Sequence, residues 1–234
     1  MKIAGLQKMT LLDFPGRVAC TVFLQGCNFR CPFCHNSQLL GGNGPEGLTE
    51  EALLDFLQKR QGLLDGVCIT GGEPTLQKDL PRLLQRIKAL GYAVKLDTNG
   101  SQPGMLKELV AQGLVDYVAM DVKNSPARYG ETVGVPQLDV SPMEESLRFL
   151  TAGGADYELR TTVVQELHDD QSIQAMGEWL FTLAQNRPVK ALYIQPYKDA
   201  DMVLQKGLHT PSEAVLQGFC ALLRPFAQTV AVRG

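Results

Sequence analysis

The chain has 234 residues, of which 44% are hydrophobic and 20% are charged, and its formal net charge is −3. This length can bury a sizeable core as one domain or as two small ones. The acidic balance argues against a nucleic-acid partner, which needs clustered Lys and Arg and a basic pI. No apolar run of about 18 residues is present, so no membrane span is expected. The first residues lack the apolar core of a signal peptide, so a cytoplasmic location is the default expectation.

Short apolar runs recur along the chain, and each is followed by an amphipathic stretch. The runs are nearly continuous rather than alternating, which is typical of parallel strands buried on both faces. Thr49, Ser141 and Thr210 precede acidic residues where helices should begin. Six alternating strands and helices predict an α/β fold, a partial (β/α)6 TIM-like barrel two units short of the closed form. The expected strands are 18–24, 67–70, 93–97, 117–122, 157–164 and 191–194, with a further short strand at 229–233.

Polar motifs follow five of these six strands. Active sites of parallel β/α folds lie at the carboxyl ends of the strands, and a hydrophobic core would not need such residues there. We therefore expect the functional site at this edge. The five motifs are the cysteine-containing segment 27–34, Gly71-Gly72-Glu73-Pro74, Asp97-Thr98-Asn99-Gly100, Asp121-Val122-Lys123 and Gln195-Pro196-Tyr197-Lys198.

The cysteine motif places Cys27, Cys31 and Cys34 within eight residues, too close to be scattered core cysteines. Intervals of three and then two residues let one loop reach three corners of a cubane cluster. A closed zinc site needs four nitrogen or sulfur ligands, and an electron-transfer [4Fe–4S] cluster needs four cysteines. Three cysteines leave one iron open, and an open iron can bind a substrate.

A zinc site is the main alternative for this motif, with His35, Cys20 or Cys68 as the fourth ligand. His35 is poorly placed because it directly follows Cys34, and adjacent residues of an extended loop point apart. A disulfide framework is disfavoured because cysteine is sparse and no secretory signal precedes it. Cys20, Cys68 and Cys220 have apolar neighbours, so they are expected to be inert buried thiols.

The glycine and asparagine motifs each have a structural and a functional interpretation. Gly71 and Gly72 suit an ordinary strand-to-helix turn, but they would also let a ligand ammonium reach backbone carbonyls, with Glu73 adding a negative charge. The segment Asp97-Thr98-Asn99-Gly100 is equally consistent with an Asx turn.

The charged motif at the fourth strand favours an ionic ligand. Asp121 and Lys123 are two residues apart and share a face of the strand. Opposite charges on a buried strand end are costly unless they are paired or bound to something ionic, so a zwitterionic ligand is the favoured explanation. Arg160 has the same parity as Glu158 on the fifth strand and is a weaker site candidate.

The chain carries, in order, CxxxCxxC at residues 27–34, Asn36, GGEP, DTNG and MDVK. This pattern resembles that of the radical SAM activating enzymes of glycyl radical enzymes. The resemblance covers most of the chain. It is close to the pyruvate formate-lyase activating enzymes. In size and in Leu12-Asp13-Phe14-Pro15-Gly16-Arg17 it is closer to the activating proteins of anaerobic ribonucleoside-triphosphate reductase.

The resemblance implies a set of site residues. Cys27, Cys31 and Cys34 would hold a [4Fe–4S] cluster, and S-adenosylmethionine (SAM) would chelate the open iron. Asp97, Thr98 and Asp121 would hold a monovalent cation beside the SAM carboxylate. The other expected cofactor contacts are Phe33 and His35 at the adenine, Gly71, Gly72 and Glu73 at the methionine amino group, Asp121, Val122 and Lys123 along the carboxylate and ribose, and Asn99, Arg160 and Lys198.

Two departures from the family limit what carries over. Lys198 follows Pro196-Tyr197 where the formate-lyase activases have His. Lysine can bind a carboxylate as a point charge, or it can be an ordinary solvated charge. No ferredoxin-like insertion lies between Cys34 and Gly71, so residues 1–234 are expected to form a single radical SAM domain.

The family also implies a reaction and its partners. A flavodoxin or ferredoxin would reduce the cluster, SAM would split to methionine and a 5′-deoxyadenosyl radical, and the radical would take hydrogen from a glycine of a glycyl radical enzyme, foremost anaerobic ribonucleotide reductase. Two alternatives remain open. One is a radical SAM enzyme acting on a small molecule, such as a deazaguanine synthase, and the other is a metal-binding module without catalysis.

Overall fold

A computed structural model describes residues 1–41 and 47–233. Over these ranges the strands are β1 Ile3–Thr10, β2 Ala19–Leu24, β3 Gly66–Gly71, β4 Ala93–Thr98, β5 Tyr117–Asp121, β6 Tyr157–Val163, β7 Val189–Pro196 and β8 Ala227–Val232. The α-helices are α1 Glu50–Gln58, α2 Leu80–Ala89, α3 Pro103–Ala111, α4 Pro126–Thr132, α5 Ser141–Thr151, α6 Asp170–Leu183 and α7 Glu213–Leu223. No helix in these ranges combines the length and the apolarity that crossing a membrane requires.

The chain separates into two compact units, and strand β5 gives its first three residues to one and its last two to the other. Unit 1 consists of Met1–Asn28, Gln38–Thr98 and Gly104–Ala119. Unit 2 consists of Phe29–Ser37, Asn99–Pro103 and Met120–Gly234.

Unit 1 is built on strands β1 to β4, which neighbour one another in chain order. β1 pairs antiparallel with β2, whereas β2, β3 and β4 are parallel. Helix α2 presents a fully buried face because its apolar residues recur at intervals of three and four, which places them on one side of the helix. These residues are Leu80, Leu83, Leu84 and Ile87.

Unit 2 is built on the parallel strands β6, β7 and β8. Helix α6 begins with a capping box in which Asp169 accepts a hydrogen bond from the Ser172 amide and Ser172 accepts one from the Asp169 amide. In the same helix, Gly177 allows Phe226 to approach, because a Cβ at this position would lie 2.3 Å from the Phe226 ring.

The predicted α/β alternation is confirmed, since β2 to α7 give six strand–helix repeats over the described residues and β8 is the further short strand. All seven predicted strands are present. Strand β1 was not predicted, because much of it is exposed and it lacks a continuous apolar run. The single-domain assignment stays a prediction.

Helices begin at or near all three predicted positions, but two of the three predicted capping residues are wrong. Thr49 caps α1 as expected, accepting a hydrogen bond from the Ala52 amide. Ser141 lies inside α5 rather than capping it, and its amide is bound instead by the Asp139 carboxylate. Thr210 does not cap α7, because Ser212 takes that role. Several neighbouring Ser, Thr and Asp residues can cap a helix, so the local sequence does not settle which one does.

Candidate functional site

In unit 1, the turn after β3 lies against the segment that leads into Cys27. The amide of Gly72 donates to Leu24 O at 2.8 Å, and the amide of Glu73 donates to Gly26 O at 2.7 Å. A Cβ on Gly71 would lie 2.3 Å from Leu24 O, and one on Gly72 would lie 2.1 Å from Gly26 O. Gly71 also has a φ of 121°, which favours glycine. Both glycines are therefore required by a close approach of two backbone segments.

Glu73 is a buried carboxylate, only 1% exposed, that joins two of the predicted motifs. Its Oε1 accepts hydrogen bonds from the Thr75 amide at 3.0 Å, from the Thr75 hydroxyl, and from Thr98 Oγ1 at 2.8 Å. Hydrogen bonds to an ionised acceptor are short and strong. The ends of β3 and β4 are thus linked through one carboxylate oxygen.

Lys95 is a buried lysine of β4 that was not predicted as a site residue. It is 1% exposed, its Nζ forms an ion pair with Asp97 Oδ1, and Nζ lies 3.7 Å from Cys68 Sγ. A buried ammonium needs such a partner, because an isolated charge is strongly disfavoured in an apolar interior. The available signal was the spacing of two residues between Lys95 and Asp97, the same spacing that singled out Asp121 and Lys123.

In unit 2, the segment Phe29–Ser37 carries Cys31 and Cys34 in a loop fixed by backbone hydrogen bonds. The Cys34 amide donates to Cys31 O at 3.0 Å, the Arg30 amide to Val133 O at 2.8 Å, and the Gln205 amide to Pro32 O at 3.0 Å. Cys31 is 8% exposed and Cys34 is half-buried. Neither forms a disulfide, so both thiols are chemically suited to bind iron.

His35 faces the loop that follows β7. Its ring stacks on Tyr197, with centroids 5.8 Å apart and planes 24° apart, and its Nε2 contacts the carbonyl oxygen of Lys198. Ser37 Oγ donates to Met202 O. The side chain of Lys198 is exposed, which is the outcome that the solvated-lysine interpretation predicts. Contact of His35 or Lys198 with SAM stays a prediction.

Asp121, Lys123 and Arg160 form one cluster. Lys123 Nζ lies 3.0 Å from Asp121 Oδ2, and Arg160 Nε lies 3.1 Å from Asp121 Oδ1. The side chains are 26%, 13% and 14% exposed, respectively. The Val122 amide donates to Arg160 O at 2.7 Å. Arg160, the weaker site candidate, therefore lies beside the stronger site candidates Asp121 and Lys123.

The charges of this cluster are paired within the chain, so its burial does not by itself require an ionic ligand. Burial acts to raise the pKa of Asp121, but the positive charges of Lys123 and Arg160 outweigh it and lower the pKa to about 2. Burial acts to lower the pKa of Lys123, but the negative charge of Asp121 outweighs this effect, so the pKa of Lys123 is raised. Two cations share one carboxylate, which leaves the triad with a net positive charge suited to a carboxylate ligand.

Lys123 also links the charged cluster to the cysteine loop of unit 2. Its Nζ lies 6.0 Å from the centroid of the Phe33 ring, within reach of a cation–π contact. Burial raises the pKa of the Cys34 thiol, while a backbone hydrogen bond at Asn36 and the charges of Lys123 and Arg30 act in the opposite direction. The net shift is upward, so these cations only partly offset the burial that disfavours the thiolate, the form that binds iron.

His168 is a second residue that was not predicted. It is 4% exposed, its Nε2 donates to Lys123 O at 2.9 Å, and its Nδ1 accepts a hydrogen bond from the Val164 amide at 3.1 Å. Burial lowers the pKa of His168, so the neutral form with hydrogen on Nε2 is favoured. The imidazole thereby fixes the backbone of Lys123 to the end of β6.

Asn99 forms the turn that the structural interpretation of its motif predicts. Its Oδ1 accepts a hydrogen bond from the Ser101 amide at 2.9 Å, and the side chain is buried. This is an Asx turn, in which the side chain replaces a backbone acceptor. The position of Asn99 is therefore explained without a ligand.

The remaining cysteines are buried, as predicted. Cys20 and Cys68 are fully buried and Cys220 is 3% exposed. Burial raises the pKa of Cys20 to about 12 and also raises that of Cys220. Over residues 1–41 and 47–233, no group of three His, Cys, Asp or Glu side chains could hold one metal ion.

Comparison with known proteins gives the family. The profile of the radical SAM superfamily matches residues 21–178. The chain belongs to the radical SAM superfamily. Enzymes of this superfamily use a [4Fe–4S] cluster and SAM for radical chemistry, and the chain is an enzyme of this kind. Its α/β fold of the radical SAM type is confirmed.

Three similar proteins show how far the likeness extends. A protein of Methanocaldococcus jannaschii named as a candidate glycyl-radical enzyme activating enzyme is 30% identical, over 99% of this chain and 95% of that protein. A 7-carboxy-7-deazaguanine synthase of Koribacter versatilis is 32% identical, over 58% of each chain. The structure of a domain of pyruvate formate-lyase activating enzyme from Bacteroides vulgatus is 21% identical, with a TM-score of 0.58, over 72% of this chain and 99% of that one, and shows a shared fold.

Proposed function

We propose that the chain activates a glycyl radical enzyme, with anaerobic ribonucleotide reductase as the first partner to test. Cys27, Cys31 and Cys34 hold the [4Fe–4S] cluster, and a flavodoxin or ferredoxin supplies its electron. When bound, the cofactors would supply the radical chemistry, in which one electron and one hydrogen atom from a partner glycine convert SAM to methionine and 5′-deoxyadenosine and leave a glycyl radical.

The observation that carries this proposal is the length of the similarity to the M. jannaschii relative. That similarity runs over 99% of the chain and 95% of the relative. The similarity to the deazaguanine synthase reaches 58% of each chain. A match over the whole length includes the elements outside the shared cofactor site, where differences in substrate arise.

The residues of the chain fit a cluster and a zwitterionic cofactor. The loop carrying Cys31 and Cys34 is held by backbone hydrogen bonds, and its thiols form no disulfide. Lys123 and Arg160 provide two cations against one carboxylate, which suits the carboxylate of SAM. In unit 1, Gly71 and Gly72 bring the backbone close to the segment before Cys27. In the proposal, these site residues bind and orient SAM and exclude water.

Anaerobic reconstitution tests the cofactor assignment. Iron and sulfide analysis should show one [4Fe–4S] cluster per chain, and the reduced protein should convert SAM to 5′-deoxyadenosine. Cys31→Ala should abolish the cluster, whereas the matched control Cys220→Ala should keep it, because Cys220 is a buried thiol of α7. Zinc retained in the anaerobic protein, with no uptake of iron, would contradict the assignment.

A second experiment separates the proposed partner from the small-molecule alternative. The reconstituted protein, SAM and a reductant are mixed with anaerobic ribonucleotide reductase, with pyruvate formate-lyase, or with the substrate of deazaguanine synthase. A glycyl radical signal in electron paramagnetic resonance, formed with ribonucleotide reductase, supports the proposal. Turnover of the small molecule without any glycyl radical supports the alternative.

A further inference from the structure

The family resemblance implies a monovalent cation held by Asp97, Thr98 and Asp121, but the carboxylates of the chain do not fit that role. In unit 1, Asp97 Oδ1 already forms an ion pair with Lys95 Nζ. In unit 2, both oxygens of Asp121 are bound, Oδ2 by Lys123 Nζ at 3.0 Å and Oδ1 by Arg160 Nε at 3.1 Å. Each carboxylate therefore already has a cation supplied by the protein.

The pairing in unit 1 is the more constrained of the two. Lys95 is 1% exposed, and the side chain of Asp97 is 13% exposed. A buried ammonium that left its carboxylate would be an isolated charge in the interior, which is strongly disfavoured. An alkali cation carries the same charge and competes for the same oxygens, so it would have to displace Lys95 without any gain in charge compensation.

We propose that Lys95 is the permanent cation of Asp97, so that this enzyme binds SAM without a monovalent metal ion. The proposal rests on the proposed function, and on the position beside the SAM carboxylate that the family resemblance implies for Asp97. Lysine differs from a metal ion in being covalently fixed, so its occupancy does not depend on the salt in the buffer. SAM affinity should therefore be the same in sodium, potassium or choline chloride at one ionic strength.

The test compares wild type with Lys95→Met, which keeps the length of the side chain and removes its charge. We expect wild-type SAM affinity to agree within about twofold in the three salts. Lys95→Met should bind SAM about tenfold more weakly in choline, because one charge-assisted contact is lost, and sodium or potassium should restore the binding. Lys88→Met is the matched control, since Lys88 forms an exposed ion pair with Asp116 in the same unit.

A second measurement needs no SAM and keeps the inference testable if the proposed function fails. The melting temperature of Lys95→Met should rise by about 2–4 °C when choline is replaced by a saturating alkali cation, while wild type and Lys88→Met should not respond. The double variant Lys95→Met/Asp97→Asn should lose this response, because no carboxylate is left to bind the cation. If the single variant is too unstable to study, the wild-type comparison of SAM affinity in the three salts still tests the inference.

Three results would overturn the inference. One is a several-fold dependence of wild-type SAM affinity on sodium or potassium. Another is a Lys95→Met protein whose SAM affinity and melting temperature ignore the cation. The third is a cation response that persists in the double variant, which would place the cation at a residue other than Asp97. Failure of the proposed function would appear separately, as an absence of SAM cleavage with the melting response intact.

Discussion

Two strands of the chain end in a lysine and an aspartate that are two residues apart, and the two pairs are built differently. On β4 in unit 1, Lys95 and Asp97 form a pair in which the lysine is almost fully buried. On β5 in unit 2, Asp121 and Lys123 are more exposed, and Arg160 joins them. The first pair compensates its own charges. The second has a net positive charge and a surface that a ligand can reach. The same sequence spacing thus gives a charge-compensated pair in one place and a net positive cluster in the other.

The largest expected effect is on stability, and it should separate the two pairs. Lys95→Ala should lower the free energy of unfolding by about 3–5 kcal/mol, because it removes the buried ammonium that compensates the charge of Asp97, a side chain only 13% exposed. Lys123→Ala should cost less, since Arg160 still faces Asp121 and the cluster is partly solvated. Denaturant titration of both variants measures the difference. Equal losses would mean that the β5 pair is as structural as the β4 pair.

The second effect is on ligand affinity and should have the opposite ranking. Asp121→Ala and Lys123→Ala should each weaken SAM binding by about 1.5–3 kcal/mol, the size of a charge-assisted contact. Neither should change the iron content, because both act on the ligand's charge. Lys190→Ala is the matched control, as Lys190 forms an exposed pair with Asp156 in the same unit. Unchanged SAM affinity in both variants would assign the β5 motif to structure.

The two pairs also show which features of the site can be predicted from the sequence. The strand ends were predictable because apolar runs of strand length mark them, and polar residues at the ends of parallel strands are expected to converge. The β5 pair is predictable because Asp121 closes a buried run and Lys123 follows it. Lys95 is not predictable in this way, because it lies inside the apolar run of β4, where its burial depends on Asp97 and on Cys68 of the neighbouring strand.

Contacts between residues distant in sequence were beyond prediction. Arg160 reaches Asp121 across 39 positions, and His168 reaches the carbonyl of Lys123 across 45. Which side chain fills such a position depends on how the loops pack, and no local spacing encodes it. The reason for Gly71 and Gly72 was likewise incomplete, because the close backbone approach to Leu24 appears only in three dimensions.

The third expected effect is a pH dependence of the free energy of unfolding, and it arises beside the β5 pair, where the backbone of Lys123 is fixed by His168. The pKa of His168 lies below the usual 6.5 in the folded protein, because burial disfavours the cation and the charge of Arg128 adds to this effect. The backbone hydrogen bonds at Lys123 and Val164 and the charge of Asp169 act in the opposite direction. The unfolded chain therefore binds a proton first as pH falls. The stability present above pH 6.5 is lost progressively below it, by at most about 1.4 kcal/mol per pH unit.

His168→Gln should reduce this pH dependence, because an amide can donate to Lys123 O without titrating. His168→Leu removes the donor as well, so it should also weaken SAM binding by displacing Lys123. Unfolding measured between pH 5 and 8 and SAM titration at pH 7.5 separate the two roles. If His168→Gln kept the full wild-type slope below pH 6.5, another group would be responsible for it.

The smallest effect is expected at Lys198, the third lysine near a strand end. Position 196, two residues before it, is Pro196 rather than an aspartate, and Lys198 forms no ion pair with another described residue. Its side chain is exposed, while its backbone carbonyl is held by His35. An exposed lysine keeps its ammonium in water and contributes little to a fixed site. We therefore expect Lys198→Ala to change SAM affinity by less than about threefold, far less than Lys123→Ala. A tenfold loss that Lys198→His partly restores, more below pH 6.5 than above it, would instead place this ammonium at the SAM carboxylate.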